Sequence, residues 1–137
     1  MTLRKKNFSL WVPLALLVAQ FAVLHVAAQA PGAAAAIRAA GDAAIDAVKQ
    51  DDPDALEARF DTRMKQAMPH EKFGSVMKDV KRQLGALKRC AAPISQLQGG
   101  ITVLDYSCEF DLAKFTIRLA YNADITIAGL FFLPPKP

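Results

Sequence analysis

Residues 101–133, ITVLDYSCEFDLAKFTIRLAYNADITIAGLFFL, decide the fold. From Leu104 the side chains fall into two parities, Leu104, Tyr106, Cys108 and Phe110 against Asp105, Ser107 and Glu109, the period of a strand with one wet face. Lys114–Tyr121 repeats the pattern, with Phe115, Ile117, Leu119 and Tyr121 opposite Lys114, Thr116 and Arg118. The turn between them is short, which makes the two strands antiparallel neighbours. A second turn at Asn122, Ala123 and Asp124 leads into Ile125–Leu133, whose apolar residues occupy both parities, and Pro134 and Pro135 end the ladder. In that last strand either Phe131 and Leu133 or Leu130 and Phe132 face the core. The other pair is left on the outer face beside Arg118 and Glu109.

Upstream, the periodicity turns helical. Ile37, Ala40, Gly41, Ala44, Ile45 and Val48 make a narrow stripe that predicts a first helix from about Ala33 to Gln50. Asp52 is placed as the N-cap of a second helix, with Pro53 at its first position and Leu56, Phe60, Met64 and Met68 at four-residue steps, ending before Pro69. A third helix opens at Pro69. Its apolar face, Phe73, Val76, Met77, Val80, Leu84 and Leu87, is expected to lie on the sheet as a rod over residues 69–90. Ile94–Gln98 is read as the first strand, turning at Gly99 and Gly100. The prediction is an α+β domain over residues 37–135, in which three helices pack on one face of a curled four-stranded antiparallel sheet that forms a half-open cone.

The amino terminus reads differently. Arg4, Lys5 and Lys6, the apolar run Leu10–Val26 and the small residues after it have the form of a Sec-type signal peptide over residues 1–28, cleaved after Ala28, with 29–36 as a flexible lead-in. An uncleaved anchor is disfavoured because the run is shorter than the ~20 residues a span needs. The expected location is periplasmic or secreted, with membrane contact only through that segment. Of 17 Lys and Arg, three lie in the signal segment and none of the 13 acids does, so the basic pI belongs largely to residues 1–28 and supports no nucleic-acid partner. Acids gather at residues 42–61 and bases at 63–89, which reads as facing helix surfaces.

Two cysteines in an exported chain are expected to pair. A two-residue turn at Gly99 and Gly100 puts Cys108 opposite Ala91, one position from Cys90. Closing a loop of about 18 residues contributes on the order of 3 kcal/mol. Two buried thiols or a redox pair are the rival readings, disfavoured because there is no C-x-x-C and no helix start to lower a thiol pKa. No metal-ligand spacing, phosphate loop or nucleophile motif is found, so no cofactor, metal or catalytic residue is assigned. His70 is expected to be exposed, with no carboxylate fixed nearby except Glu71, whose side chain points elsewhere.

The stretches AAIDAVKQDDPDALEARFDTRMKQAMP (43–69), QLGALKRC (83–90), YSCEFDLAKFTIRLAYN (106–122) and IAGLFFLPP (127–135) resemble, in order and spacing, the bacterial family called domain of unknown function 3887. The resemblance implies a nuclear-transport-factor-2-like (cystatin-like) cone. It also implies an exported setting, sometimes ahead of a hydrolase or peptidase domain; no such domain is expected after Pro137. It carries over no catalytic residue. Relatives commonly have glycine where Ile125 stands.

Two readings stay ahead of an enzyme. In the first, an exported non-catalytic module binds another exported protein or itself through Leu130, Phe131, Phe132 and Leu133. In the second, the cone holds a small apolar ligand against Phe73, Met77, Tyr106, Phe110, Phe115, Ile117 and Tyr121.

Overall fold

A computed structural model describes residues 31–135, so the expected signal peptide and its cleavage after Ala28 lie outside the described residues. The chain runs α1 (Pro31–Lys49), α2 (Pro53–Glu57), α3 (Thr62–Ala67), α4 (His70–Leu84), β1 (Leu87–Cys90), β2 (Ile94–Gln98), β3 (Ile101–Phe110), β4 (Lys114–Tyr121) and β5 (Ile127–Leu133). The fold is α+β, with helices first and an open antiparallel sheet after them. The stretch expected as a flexible lead-in is helical from Pro31 onward.

The sheet has five strands where four were expected. Its order is β1-β3-β4-β5, and β2 pairs with β3 as well. Ten-residue β3 serves two short partners end to end: β2 pairs along Ile101–Asp105, and β1 pairs along Cys108–Phe110. The extra strand comes from the end of the expected third helix. Gly85, at φ +79°, stops α4 in a backbone conformation that suits a residue without Cβ, and the chain turns back into the sheet.

The expected second helix is two helices. Asp52 caps α2 as read, accepting from the Ala55 amide at 3.0 Å. After Glu57, however, the backbone of residues 59–61 leaves the helix and pairs with β5: the Ile127 amide donates to the Arg59 carbonyl (2.8 Å) and the Asp61 amide to the Ile127 carbonyl (2.9 Å). Sheet pairing at an otherwise bare edge satisfies the same backbone groups that continued helix would. Asp61 then starts α3 by accepting from the Met64 amide at 2.7 Å, which together with its Asn122 hydrogen bond holds the carboxyl below its usual range.

The helix nearest the sheet is also not the expected one. The backbone of α1 crosses β1 and β3, whereas that of α4 lies against α2. The close approach turns on Gly41, where a Cβ would stand 2.4 Å from Tyr106 Oη and 2.5 Å from Leu104 Cδ1. From α4, Phe73, Met77 and Leu84 still reach the common core, which joins Ile37, Ala44, Leu56 and Phe60 to the inward residues of β3, β4 and β5. Ile117, Leu119 and Tyr121 face that core as their alternation requires.

On β5 the two-parity problem is resolved by a bulge. Ala120 pairs with Gly129 but Tyr121 pairs with Ile127, so Ala128 is the extra residue. From there outward Leu130 stands opposite Leu119 and Phe132 opposite Ile117, on the core side, while Phe131 stands opposite Arg118 and Leu133 opposite Thr116, on the outer side. Ile125, in the preceding turn, is held at φ +67°.

Candidate functional site

Six of the seven residues expected to line an apolar pocket belong to the core, and one of them, Tyr106, also borders a cleft of about 370 Å³ beside Arg38, Asp42 and Leu87. Phe73, Met77, Tyr106, Phe110, Ile117 and Tyr121 are buried, and Phe115 is partly buried against them. The cavity beside Met77 and Phe110 is about 60 Å³. Drug-sized ligands occupy pockets of roughly 300–1,000 Å³. The two phenols differ in what their oxygens meet. Tyr106 donates to Asp42 Oδ1 at 2.8 Å, and burial, reinforced by that hydrogen bond, raises its pKa. The buried Tyr121 hydroxyl has no hydrogen-bond partner among the described residues, and burial pushes its pKa up to about 12.

The outer face of the sheet is open. A groove of about 700 Å³ runs along it between Ile94 on β2 and Pro134–Pro135 at the end of β5. Ile94, Asp105 and Arg118 line it, and together with Phe131 they form one cross-strand row, because these four are successive register partners across β2, β3, β4 and β5. Arg118 grips Asp105 through two hydrogen bonds, Nε to Oδ1 at 2.7 Å and Nη2 to Oδ2 at 2.8 Å. At the row's ends Ile94 is 66% and Phe131 51% exposed. The Phe131 ring lies over Gly129, whose absent Cβ would come within 2.8 Å of it. Farther along, Arg89 Nε donates to Glu109 at 2.6 Å, and that hydrogen bond is the main cause holding the Glu109 carboxyl below its ordinary range.

Of the four residues expected at an interface, Phe131 and Leu133 therefore stand on the outer face. Leu130 and Phe132 are turned into the core. Ile94 and the Asp105–Arg118 pair were not singled out in the sequence, although Ile94 opening a strand and the opposed charges on adjacent wet faces were visible there.

Cys90 and Cys108 are register partners and are joined by a disulfide, which staples β1 to β3. The turn arithmetic missed by one position, since Ala91–Pro93 interrupt the ladder between β1 and β2. Disulfides persist in oxidising compartments. No helix among the described residues is long and apolar enough to cross a membrane.

His70 corrects the reading that no carboxylate is fixed beside it. Its Nδ1 lies 2.6 Å from Glu57 Oε2 and 3.7 Å from Asp54 Oδ1. The hydrogen bond to Glu57, then the negative charges of Glu57 and Asp54, raise the imidazole pKa. The three residues belong to α2 and α4, which pack against each other, and Phe73 of α4 makes a T-shaped contact with Phe60 at 4.9 Å between ring centroids.

No curated protein shows significant similarity to the chain. Among solved structures, a protein from Ruminococcus gnavus ATCC 29149, determined by NMR, is similar over 71% of this chain and 88% of its own, at 15% identity and a TM-score of 0.47. The family described as "Protein of unknown function (DUF3887)" matches residues 42–130, which run from α1 into β5 and include both cysteines and three of the four residues of the outer row, Ile94, Asp105 and Arg118. The chain belongs to the DUF3887 family.

Proposed function

We propose that this is an exported, non-catalytic interaction module whose outer sheet face docks on a second copy of the same chain. The observation that carries the reading is the row Ile94–Asp105–Arg118–Phe131. It is apolar at both ends and holds one acid and one base between them. A half-turn about an axis along the strands lays such a row on its own copy with Ile94 against Phe131 and Asp105 against Arg118, the self-complementarity that a twofold interface requires. Two large apolar side chains left half or more in water on one face are what such contact would cover.

The exported setting rests on the form of residues 1–28 and on the disulfide, with the periplasm or the exterior as destination. A nuclear-transport-factor-2-like cone is the architecture we assign to the curled sheet, with its hollow filled by side chains of α1, α2 and α4. A carrier of apolar ligands would need room that Phe73, Met77 and Tyr106 occupy.

Sedimentation equilibrium tests the proposal. The unmodified protein is expected to dimerise, and Phe131→Asp or Ile94→Asp to give a monomer with unchanged circular dichroism. A protein that stays strictly monomeric at the highest attainable concentration would sink the reading, as would dimers indifferent to both substitutions.

A further inference from the structure

We infer that Asp54, Glu57 and His70 form a surface site for a divalent first-row transition metal ion, with Zn²⁺ as its natural occupant. Asp54 Oδ1, Glu57 Oε2 and His70 Nδ1 all lie within 4.8 Å of one another. Four ligands arranged tetrahedrally at about 2.0–2.1 Å from zinc stand roughly 3.3 Å apart. The separations here, 2.6 Å from His70 to Glu57 and 3.7 Å from His70 to Asp54, bracket that value. With the third separation no longer than 4.8 Å, the side chains need to open or close by about 1.5 Å or less to enclose the ion.

The chemistry of the donors narrows the occupant. One imidazole nitrogen and two carboxylate oxygens suit zinc, whereas calcium and magnesium prefer oxygen throughout. Two carboxylates and a neutral imidazole carry a charge of −2, which a divalent ion cancels. Among the described residues, His70 is the ion-pair partner of both Asp54 and Glu57, and no lysine or arginine bridges to either. A metal therefore displaces only a proton on His70 Nδ1: from the imidazolium it goes to solvent, and in the neutral ring it is exchanged for one on Nε2, so that the ligand is a neutral imidazole in either case. A fourth position is left for water or for a donor from outside the chain.

The framework holds the donors in place. Asp54 and Glu57 are three apart in α2, so they share a face. His70 opens α4, thirteen residues on from Glu57, and its distance from α2 is fixed by packing and not by chain connectivity. Leu56 and Phe73 are buried beneath, and Phe60 stacks edge-on to Phe73. The Glu57 side chain is 22% exposed, so the central ligand is already held against the protein. The competing account is that His70 and Glu57 simply pair to tie α2 to α4.

The two accounts separate by titration of the purified protein, made without a histidine tag and stripped with a chelator, against ZnCl₂ in a calorimeter. One zinc per chain is expected to bind, with CaCl₂ and MgCl₂ giving no comparable heat. His70→Ala and Glu57→Gln should each weaken zinc by more than about tenfold. His70 ring signals followed by NMR should shift on zinc addition, while those of Tyr106 and Tyr121 stay put. Absence of stoichiometric zinc binding overturns the inference. So does zinc binding that survives both substitutions, which would place the ion elsewhere. Melting each variant in excess chelator checks that a lost signal reflects the ligand and not the fold.

Discussion

Two buried tyrosines on the same sheet should respond in opposite directions to the same chemical change. In Tyr106→Phe the protein loses a hydrogen bond to the Asp42 carboxylate, 2.8 Å long and partly buried. Hydrogen bonds to charged groups contribute about 1.5–3 kcal/mol. Asp42 is half exposed and keeps its Arg38 partner at 3.1 Å, so it regains water and the loss falls at the lower end, about 1–1.5 kcal/mol. In Tyr121→Phe the removed hydroxyl has no partner to leave behind. Burying such a group costs about 1–3 kcal/mol, from which the packing lost with one oxygen atom must be subtracted, leaving a gain near 1 kcal/mol. The two variants should differ by about 2–2.5 kcal/mol, with opposite signs. Urea unfolding followed by circular dichroism reads this directly as midpoints moving apart at unchanged slope. In a domain of this size each kcal/mol corresponds to roughly 4–8 °C in thermal midpoint, so the two proteins would melt about 10 °C or more apart. A Tyr121→Phe variant destabilised by 1 kcal/mol or more would refute the reasoning, because the hydroxyl would then have a partner.

The turn before β5 supplies a second perturbation: Ile125→Gly should stabilise by about 0.5–1 kcal/mol, since relief of a β-branched residue at positive φ exceeds the added freedom of glycine in the unfolded chain. Differential scanning calorimetry checks it, and a clear loss would mean that the Ile125 side chain holds the turn. Reducing the Cys90–Cys108 bond should cost on the order of 3 kcal/mol through the loop it closes, seen as a lowered urea midpoint in dithiothreitol. A midpoint unmoved by reduction would show that pairing of β1 with β3 needs no staple. Alkaline stability follows from the phenols. Both have folded pKa values above the ordinary value near 10, Tyr121 at about 12, so between those limits the folded state keeps protons that the unfolded state has lost. Stability contributed by these groups is therefore complete below about pH 10 and falls as pH rises beyond it. Ultraviolet absorbance should show no tyrosinate until unfolding, then both residues together; either one titrating normally near pH 10 would contradict its burial.

What the sequence made legible was what adjacent residues decide. Alternation in Leu104–Phe110 and Lys114–Tyr121 reports which side chains face the core, because a strand's period is two whatever its partner. The Asp52–Pro53 cap was equally local. The failures lie where distant backbone decides. Leu56, Phe60 and Met64 have perfect helical spacing, yet the chain breaks at Phe60 because the edge of β5 offers hydrogen bonds to residues 59–61, and nothing within that window announces Ile127. Gly85 did carry a signal, a glycine one step past an apolar periodicity, and giving it weight would have ended α4 at Leu84. Leu87–Cys90 is too short for alternation to speak, and only its pairing with β3 makes it a strand. The meeting of His70 with Glu57 was likewise hidden, since it depends on how α2 packs on α4. The shared face of Asp54 and Glu57 could have been read from their spacing alone.

The same division between local and distant causes governs the outer face. Residues 130–133 are bulky and apolar on both parities, so every register of β5 places two of them in water. The bulge at Ala128 chooses which two: by shifting the strand one position it sends Leu130 and Phe132 under the helices and Phe131 and Leu133 outward. Phe131 is thereby set opposite Arg118, in line with Asp105 and Ile94, and the row acquires its apolar ends. Composition makes the face adhesive, whereas the bulge gives it the order of groups that would match a rotated copy. Without the extra residue the strand would still expose two large side chains, but Arg118 would face Leu130 or Phe132, and the inward Phe131 would meet Ile117 or Leu119. The proposed self-association therefore depends on one backbone irregularity near the start of β5, five strand positions from the last residue whose placement it sets.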